Sequence, residues 1–433
     1  MRYLLLALAL VATACSPTVT CEQLGNCPRD GGVPKGDVGA PEPFELKVLD
    51  PHAAGGSLAQ LSLAVSGEKL GVTYFAESTG ADGGVLRELR YVEYSEAAPS
   101  PTPEVVAKVV RTYGTALAYD STGKPYVGFL GAPGNNGNYW YEGSPNVATR
   151  TGATWTSAAV YTLFDNVVGL WPAVAVDPVT DTVYTAGRNI GFGQFAVQGA
   201  EKTNIEFVEG VGGAGWTQTT AVRGFCPNPP NGCVDQTEGH GGYNQMVVPA
   251  DGRPLLFWAG LGPNELEPAT GIYLVKRNED KTWPGNVVKV RSTGNMGGGP
   301  AIAYKNGAGY LVSYFEQNQI KLLESPDALD WNKAPDIVVG AGTIDKANAV
   351  AWTDEGFPAV VYYQCSERSG VTFPCPEADD ELMLAWRVDG DVWQRVKVDH
   401  AGGHFMKLAY WKNRAVIAYK DTKDQTLKLA IQR

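Results

Sequence analysis

Residues 63–75 read LAVSGEKLGVTYF: a triplet of apolar, small and apolar residues, a polar turn around Gly67, and then a second apolar run. This phrase returns seven times along the chain, every fifty to seventy residues or so. The seven triplets begin at Leu63, Leu117, Val174, Met246, Ile302, Val350 and Leu408. A repeat of this length built from strand-like segments is typical of a β-propeller. The sequence therefore predicts an all-β fold, a seven-bladed propeller of four-stranded antiparallel blades. Six blades are the alternative, in which the irregular third repeat becomes a long insertion.

The two ends of the chain predict how the ring of blades closes. The seventh repeat stops after its third strand, residues 427–431, and so lacks an outer strand. Residues 44–49 alternate between apolar and polar side chains, as a half-buried strand does, and they precede the first repeat. We expect this N-terminal strand to pair with residues 427–431, which would remove an open sheet edge. The second and third repeats are harder to divide, and residues 204–208 are assigned as the fourth strand of blade three.

The N-terminus has the layout of an export signal. Arg2 is followed by an unbroken apolar run over residues 4–11 and then by small residues, which is too short for a lasting membrane span. The run of small residues into Cys15 resembles a bacterial lipobox, and the resemblance implies a lipidated Cys15. Because Ser16 follows, the resemblance favours the outer membrane of the bacterial cell envelope, on its periplasmic or its outer side. The alternative is an ordinary secreted protein cut near Ala14.

Composition then divides the chain into three parts. Residues 1–14 are the signal peptide, and residues 15–41, rich in Gly and Pro, form a tether that cannot bury a core. The propeller takes residues 42–433. The expected disulfides staple short loops of an exported protein: Cys21 joins Cys27 within the tether, and Cys226 joins Cys233 and Cys365 joins Cys375 within the propeller.

The charge of the chain excludes one class of partner. A formal net charge of −11 disfavours nucleic acid, which requires a basic face. No later segment approaches eighteen consecutive apolar residues, so we expect membrane attachment through the lipid alone. The expected state is a monomer without a cofactor, with a glycan or an envelope protein as a possible partner.

The blades resemble those of the sialidase-type, or Asp-box-like, propeller superfamily. The resemblance covers residues 44–433 and lies in the repeat pattern: a turn proline such as Pro125, Pro254 or Pro358, and a later turn that contains Trp. The family's box reads Ser-x-Asp-x-Gly-x-Thr-Trp, whereas residues 277–283 read RNEDKTW and are degenerate. Such boxes stabilise turns on the outer rim, so they do not indicate catalysis.

A sialidase needs an arginine cluster for the substrate carboxylate and acidic groups for proton transfer. Arg188, Glu77 and Glu316 follow second strands and are the catalytic candidates: Arg188 as the clamp, and Glu77 or Glu316 in proton transfer. No flanking motif selects them, and surface ion pairs and solvated loop ends are the favoured explanation of these residues. The chain is therefore interpreted as a binding protein, with a sialidase-like hydrolase or lyase as the alternative.

Aromatic and polar residues collect where the inner strands begin and the second strands end, around the predicted channel mouth. The candidate ligand-binding residues are Tyr113, Trp171, His240, Tyr243, Trp258 and His404. Aromatic rings beside amides suit the recognition of a glycan, a peptide or a protein, although some rings could instead plug the channel. Two histidines without a set of carboxylates predict no metal site. The expected function is an envelope-anchored, non-enzymatic binding face; a purely structural scaffold is a third option.

Overall fold

The repeats predicted from the sequence fold into β-strands in a computed structural model of the protein. The structure describes residues 43–53, 61–79, 83–108, 114–131, 143–161, 166–191, 203–222, 239–261, 271–292, 299–317, 319–333, 335–339, 344–365, 380–390, 392–400, 406–421 and 423–433. All regular structure in these ranges is β-strand. Over the same ranges, no helix has the length and apolar character needed to cross a membrane.

The strands form seven four-stranded antiparallel sheets, which are the blades of a propeller. Strand β1 spans Phe44–Asp50. Blade one contains β2 (Ser62–Ser66), β3 (Lys69–Thr79), β4 (Val85–Tyr94) and β5 (Glu104–Lys108). Blade two contains β6 (Thr115–Tyr119), β7 (Pro125–Gly131), β8 (Ser144–Thr151) and β9 (Thr154–Ala159). Blade three contains β10 (Asn166–Val176), β11 (Thr182–Gly191), β12 (Thr203–Val211) and β13 (Ala214–Val222).

The remaining blades follow the same order, with the innermost strand first. Blade four contains β14 (Gly239–Val247), β15 (Leu255–Leu261), β16 (Gly271–Lys276) and β17 (Val288–Ser292). Blade five contains β18 (Ala301–Lys305), β19 (Gly309–Glu316), β20 (Gln319–Ser325) and β21 (Asp336–Val339). Blade six contains β22 (Ile344–Trp352), β23 (Pro358–Cys365), β24 (Asp380–Asp389) and β25 (Val392–Asp399). Blade seven contains β26 (Met406–Trp411), β27 (Arg414–Asp421) and β28 (Thr426–Gln432), with β1 as its outer strand.

The prediction of seven blades is confirmed, and so is the closure by the N-terminal strand. Strand β1 pairs antiparallel with β28, with Phe44 opposite Gln432 and Leu46 opposite Ala430. The Arg433 amide also donates a hydrogen bond to the Pro43 carbonyl at 3.1 Å. Both ends of the propeller therefore lie in one sheet, and no blade is left with an unpaired third strand.

The assignment of residues 204–208 as the fourth strand of blade three is wrong. These residues belong to β12, the third strand, and β13 is the fourth. The two strands are joined by a tight turn at Gly212 and Gly213, whose φ angles are 58° and 77°. Consecutive glycines supply the positive φ angles that such a hairpin requires, and this signal marks the true boundary.

The core lies between neighbouring blades and is built around one repeated aromatic position. In each blade, the first residue of the triplet pairs with a second-strand residue, as Leu63 pairs with Val72. Two residues beyond that partner, six of the seven blades carry a buried aromatic side chain: Tyr74, Phe129, Trp258, Tyr314, Tyr362 and Tyr419. Because side chains two residues apart share a face of a strand, these rings fill equivalent spaces between blades.

Candidate binding site at the channel mouth

The inner strands surround a central channel. A cavity of about 220 Å³ is lined by residues of all seven inner strands, and the lining residues occupy matching repeat positions. The inner strands therefore run in the same direction, and their first residues gather at one end of the channel. Because each second strand runs antiparallel to its inner strand, the second strands end there too. We call this end the channel mouth.

Two aromatic residues at the mouth have an unusual backbone. Trp171 and Tyr243 have φ angles of 46° and 52°, in the left-handed region, although both lie within strands. The other non-glycine residues with positive φ in the described ranges lie at turns and bends outside strands. A bulky residue in this region is strained by about 1–3 kcal/mol and persists only where its surroundings hold it.

Both residues occupy the same repeat position, and at both the strand pairing shifts its register. Each lies three residues before the start of its triplet, Val174 or Met246. The pairing of β10 with β11 shifts register between Leu170 and Ala173, and the pairing of β14 with β15 shifts around Tyr243. Such bulges turn a side chain away from the regular alternation of a strand and are frequent beside functional sites. Here they direct two rings from adjacent blades toward one place.

The two rings lie against each other. Their centroids are 5.8 Å apart and their planes are inclined by 41°. Both side chains are only partly buried, and they pack on the hydrophobic cluster between blades four and five. Burial raises the pKa of the Tyr243 phenol, so this hydroxyl stays protonated at neutral pH. The pair thus offers partly exposed ring surface together with a neutral hydroxyl group.

Arg188 lies against the Trp171 ring of the pair. Its guanidinium carbon lies 5.4 Å from the centroid of the Trp171 ring, within the range of a cation–π contact. The side chain is 1 % exposed, so it is part of the protein interior rather than an open arm for a substrate carboxylate. The structure therefore brings Arg188 together with Trp171, whose ring it supports.

Two further residues hold the pair, and sequence reasoning did not select them. The Asn244 side-chain amide donates a hydrogen bond of 3.0 Å to the Trp171 carbonyl, which ties blade four to blade three at the bulge. Gly299 of blade five lies beneath the Tyr243 ring, where a β-carbon would be 2.5 Å from Cγ. Alignment of the triplets is the signal that could have grouped these residues, because Trp171, Tyr243 and Gly299 all lie three residues before a triplet.

The carboxylate candidates do not share one position. Glu77 lies five residues beyond Val72, and Glu316 lies four residues beyond Val312, the matching point of blade five. Since side chains alternate along a strand, the two carboxylates point to opposite faces of their blades. Glu77 pairs with Arg87 at 2.8 Å, and Glu316 pairs with Lys321 at 2.8 Å. Each is thus held by a base of its own blade.

Trp258 has a different place from the one expected. It lies within β15, not in the following loop, and it is fully buried at the repeated aromatic position. Its ring stacks on Tyr273 with centroids 5.9 Å apart and planes 16° apart. The sequence predicts that Trp258 contacts a ligand at the mouth, but Trp258 lies in the core between blades three and four.

Several candidates cannot be placed. Tyr113 and His404 lie outside the described residues, as do Cys15, Cys21, Cys27, Cys226, Cys233 and Cys375. His240 lies in β14 and Cys365 in β23, but only their backbones are described. The predicted disulfides and the lipidated cysteine therefore stay predictions.

No protein-family model matches the chain, and no curated protein sequence matches it. Similar solved structures include a Hadza microbial sialidase, Hz136, with 12% identity and a TM-score of 0.48 over 82% of this chain and 73% of that one. The Trypanosoma rangeli sialidase has 12% identity and a TM-score of 0.45, and the match spans 86% of this chain but only 59% of that one. A Dyadobacter fermentans DSM 18053 protein of unknown function has 12% identity and a TM-score of 0.45 over 74% of this chain and 94% of that one.

These comparisons concern the fold alone. As the sequence pattern predicted, sialidases are among the structures that this seven-bladed propeller resembles. At such identities and TM-scores, the likeness carries no argument about activity.

Proposed function

We propose that this chain is a bacterial envelope lipoprotein whose propeller binds a glycan at the channel mouth without cleaving it. The observation that carries the proposal is the strained pair of Trp171 and Tyr243, whose rings meet at 5.8 Å. Strain of this kind collects at ligand clamps, where the surrounding structure maintains a geometry that the isolated chain would not adopt.

The chemistry of the pair suits a sugar. The rings of Trp and Tyr combine a broad apolar surface with a polar group, which matches the mixed apolar and hydroxylated faces of a pyranose. The pair is fixed before binding by Asn244 and Gly299, so little side-chain entropy is lost when a ligand arrives. Arg188 and Glu77, by contrast, already have protein surroundings and are not arranged as a catalytic pair.

A glycan library tested against the full chain in detergent would test this function. We expect Trp171→Ala and Tyr243→Ala each to weaken binding at least tenfold. Phe357→Ala is the matched control. Phe357 is an exposed aromatic residue in the turn between β22 and β23, at the end of the blades opposite the channel mouth. Equal affinity in all three variants would exclude the pair as the site, and retention of peptides rather than glycans would change the ligand class.

Anchoring at Cys15 and the three disulfides belong to the same proposal. A lipidated Cys15 would hold the propeller at the outer membrane by the tether of residues 15–41. Incorporation of labelled palmitate that Cys15→Ala abolishes would support the anchor, and unchanged labelling would refute it. Alkylation before and after reduction, followed by mass spectrometry, would show whether six further cysteines are oxidised.

A second candidate function, sialidase-like hydrolysis, has one observation in its favour. Tyr314 precedes Glu316 by two residues on β19, so the phenol and the carboxylate share a face, and burial raises the pKa of Tyr314 to about 12. However, Tyr314 is fully buried and occupies the repeated aromatic position. Release of a fluorophore from a sialoside that Glu316→Gln and Tyr314→Phe both abolish would favour this candidate over the binding protein.

A further inference from the structure

The central channel has its own chemistry, separate from the mouth. The residue directly before each triplet lines the channel, and in the seven inner strands these residues are Ser62, Ala116, Ala173, Gln245, Ala301, Ala349 and Lys407. Five of the seven are Ser or Ala, which leaves the centre open. Gln245 and Lys407 are the exceptions, and only Lys407 carries a charge.

Two of these residues reveal what the position does. The Ser62 hydroxyl accepts a hydrogen bond from the Leu117 amide of the next blade at 3.0 Å. In the same way, the side-chain oxygen Oε1 of Gln245 accepts a hydrogen bond from the Ile302 backbone amide of the next blade at 3.1 Å. Leu117 and Ile302 both begin a triplet, so the amide of the first triplet residue faces the preceding blade. Where this position holds Ser or Gln, its side chain thus supplies an acceptor to the next blade.

At the junction of blades seven and one, the acceptor is replaced by a donor. By the repeat, Lys407 stands where the Leu63 amide of blade one requires an acceptor. An ammonium group has three donor hydrogens and no lone pair, so it cannot accept from an amide. Two donors therefore meet at this point of the channel. At four other junctions this position is an alanine (Ala116, Ala173, Ala301 or Ala349), which supplies no side-chain acceptor to the amide of Val174, Met246, Val350 or Leu408 in the next blade.

Among the described residues, no carboxylate pairs with the charge of Lys407. Its Nζ has no hydrogen-bond or ion-pair partner among the described residues, whereas Lys428 of the same blade lies within 3.7 Å of three carboxylates. The described channel lining comes from all seven inner strands, including β2 and β22 on either side of Lys407. Among these lining residues, Lys407 is the only titratable side chain. Burial lowers its pKa to about 8, so most of these ammonium groups remain charged at pH 7.

We propose that the channel binds the carboxylate of a small organic acid, held by the Lys407 ammonium and the Leu63 amide. A carboxylate has two acceptor oxygens and one negative charge, which satisfies both donors and neutralises the cation. The cavity of about 220 Å³ has room for a short-chain acid beside water. The site is distinct from the aromatic pair, so the inference goes beyond the proposed glycan binding.

Calorimetric titration of the full chain with sodium acetate, at constant ionic strength, tests the site. At pH 6.5 we expect saturable binding of one acetate, weakened at least tenfold at pH 10, where Lys407 is neutral. Lys407→Met should lose the binding, whereas Lys407→Arg keeps the charge and should retain it. Lys412→Met is the charge-matched control, because Lys412 pairs with Glu68 and Glu96 at a surface turn.

Three outcomes would overturn the proposal. Either the unaltered chain does not bind acetate, or Lys407→Met binds acetate as tightly as the unaltered chain, or Lys412→Met loses acetate binding as fully as Lys407→Met. The urea midpoint of each variant shows whether it folds, and Lys407→Arg keeps the test valid if Lys407→Met does not. Trp171→Ala should bind acetate normally. Failure of glycan binding and failure of acetate binding are therefore separate results.

Discussion

Gly299 of blade five lies so close to Tyr243 of blade four that a β-carbon on residue 299 would stand 2.5 Å from Cγ of the ring. The same added atom would be 2.7 Å from Cδ1 and 2.8 Å from Cβ of Tyr243. Real β-carbons essentially never approach other atoms this closely, so the ring holds its place because residue 299 has no side chain. Three blades thus contribute to one aromatic pair: Trp171, Tyr243 and the glycine beneath them.

This contact predicts the effect of Gly299→Ala. The methyl group must displace the Tyr243 ring from Trp171, so we expect glycan affinity to fall at least fivefold although both rings remain. Gly285→Ala is the matched control, since nothing lies within 4 Å of a β-carbon there. Binding titrations of the two variants test the prediction; equal affinities would show that the ring geometry is not needed.

Trp258 should determine stability rather than binding. Its ring is fully buried against Tyr273, so Trp258→Ala should lower the free energy of unfolding by about 3–5 kcal/mol through the cavity that it leaves. Trp258→Phe keeps most of the packing and should bind glycan as the unaltered chain does. Urea unfolding and the glycan titration together check both statements, and a large loss of affinity in Trp258→Phe would return this residue to the binding site.

The difference between Trp258 and Trp171 shows what the sequence could and could not predict. The apolar triplets and the period-two strands specify seven blades and their closure, because each depends on local pattern alone. Whether a tryptophan faces the core depends on strand register, and a shift of one residue reverses its side. For the same reason, Glu77 and Glu316 appeared equivalent in sequence although the pairing separates them by one residue.

The bulges at Trp171 and Tyr243 could not be predicted from the local sequence pattern, for a different reason. An aromatic residue with positive φ contradicts its own backbone preference, so no propensity argument would place it there. Only the neighbouring blades, through Asn244 and Gly299, make this conformation stable. Violations of local rules are expected where a protein uses strain for function.

The junction between blades seven and one should be sensitive to acid. Asp50 at the end of β1 accepts hydrogen bonds from the Tyr74 hydroxyl at 2.5 Å and from Arg90 at 2.9 Å. Burial acts to raise the pKa of this carboxyl, but its hydrogen bonds outweigh burial and lower the pKa below the ordinary value of 3.8. The folded state therefore gains stability above about pH 4 and loses it as the pH falls through the lowered pKa.

Asp50→Asn should accordingly lower the free energy of unfolding at pH 7 by about 2–3 kcal/mol, with the difference shrinking in acid. Asp399→Asn is the parallel variant, because Tyr419 donates to Asp399 at 2.5 Å between blades six and seven. Both should destabilise the fold, but Asp50→Asn should speed hydrogen exchange along the pairing of β1 with β28 more strongly, because Asp50 lies in β1 itself whereas Asp399 reaches this pairing only through Lys428. Urea unfolding and hydrogen exchange measure the two effects; unchanged exchange in that pairing would mean that Asp50 does not secure the closure.

Lys407 should destabilise the propeller in a way that depends on pH. Burial lowers its folded pKa to about 8 from the ordinary 10.5, so the unfolded chain binds more protons between these values. The destabilisation is thus complete below about pH 8 and fades as the pH rises toward 10.5. In buffers without carboxylates, we expect Lys407→Met to be more stable than the unaltered chain at pH 7 and to lose this advantage by pH 10.5.

Lys412→Met separates this effect from the general loss of one positive charge, because its partners raise the pKa of Lys412. Removing Lys412 should therefore bring no gain in stability at pH 7. Adding acetate should raise the stability of the unaltered chain at pH 7 and leave Lys407→Met unchanged, since the carboxylate supplies a counter-charge that the described channel residues do not. If Lys407→Met is less stable than the unaltered chain at pH 7 without acetate, the ammonium already has a stabilising partner, and the channel does not require an anion.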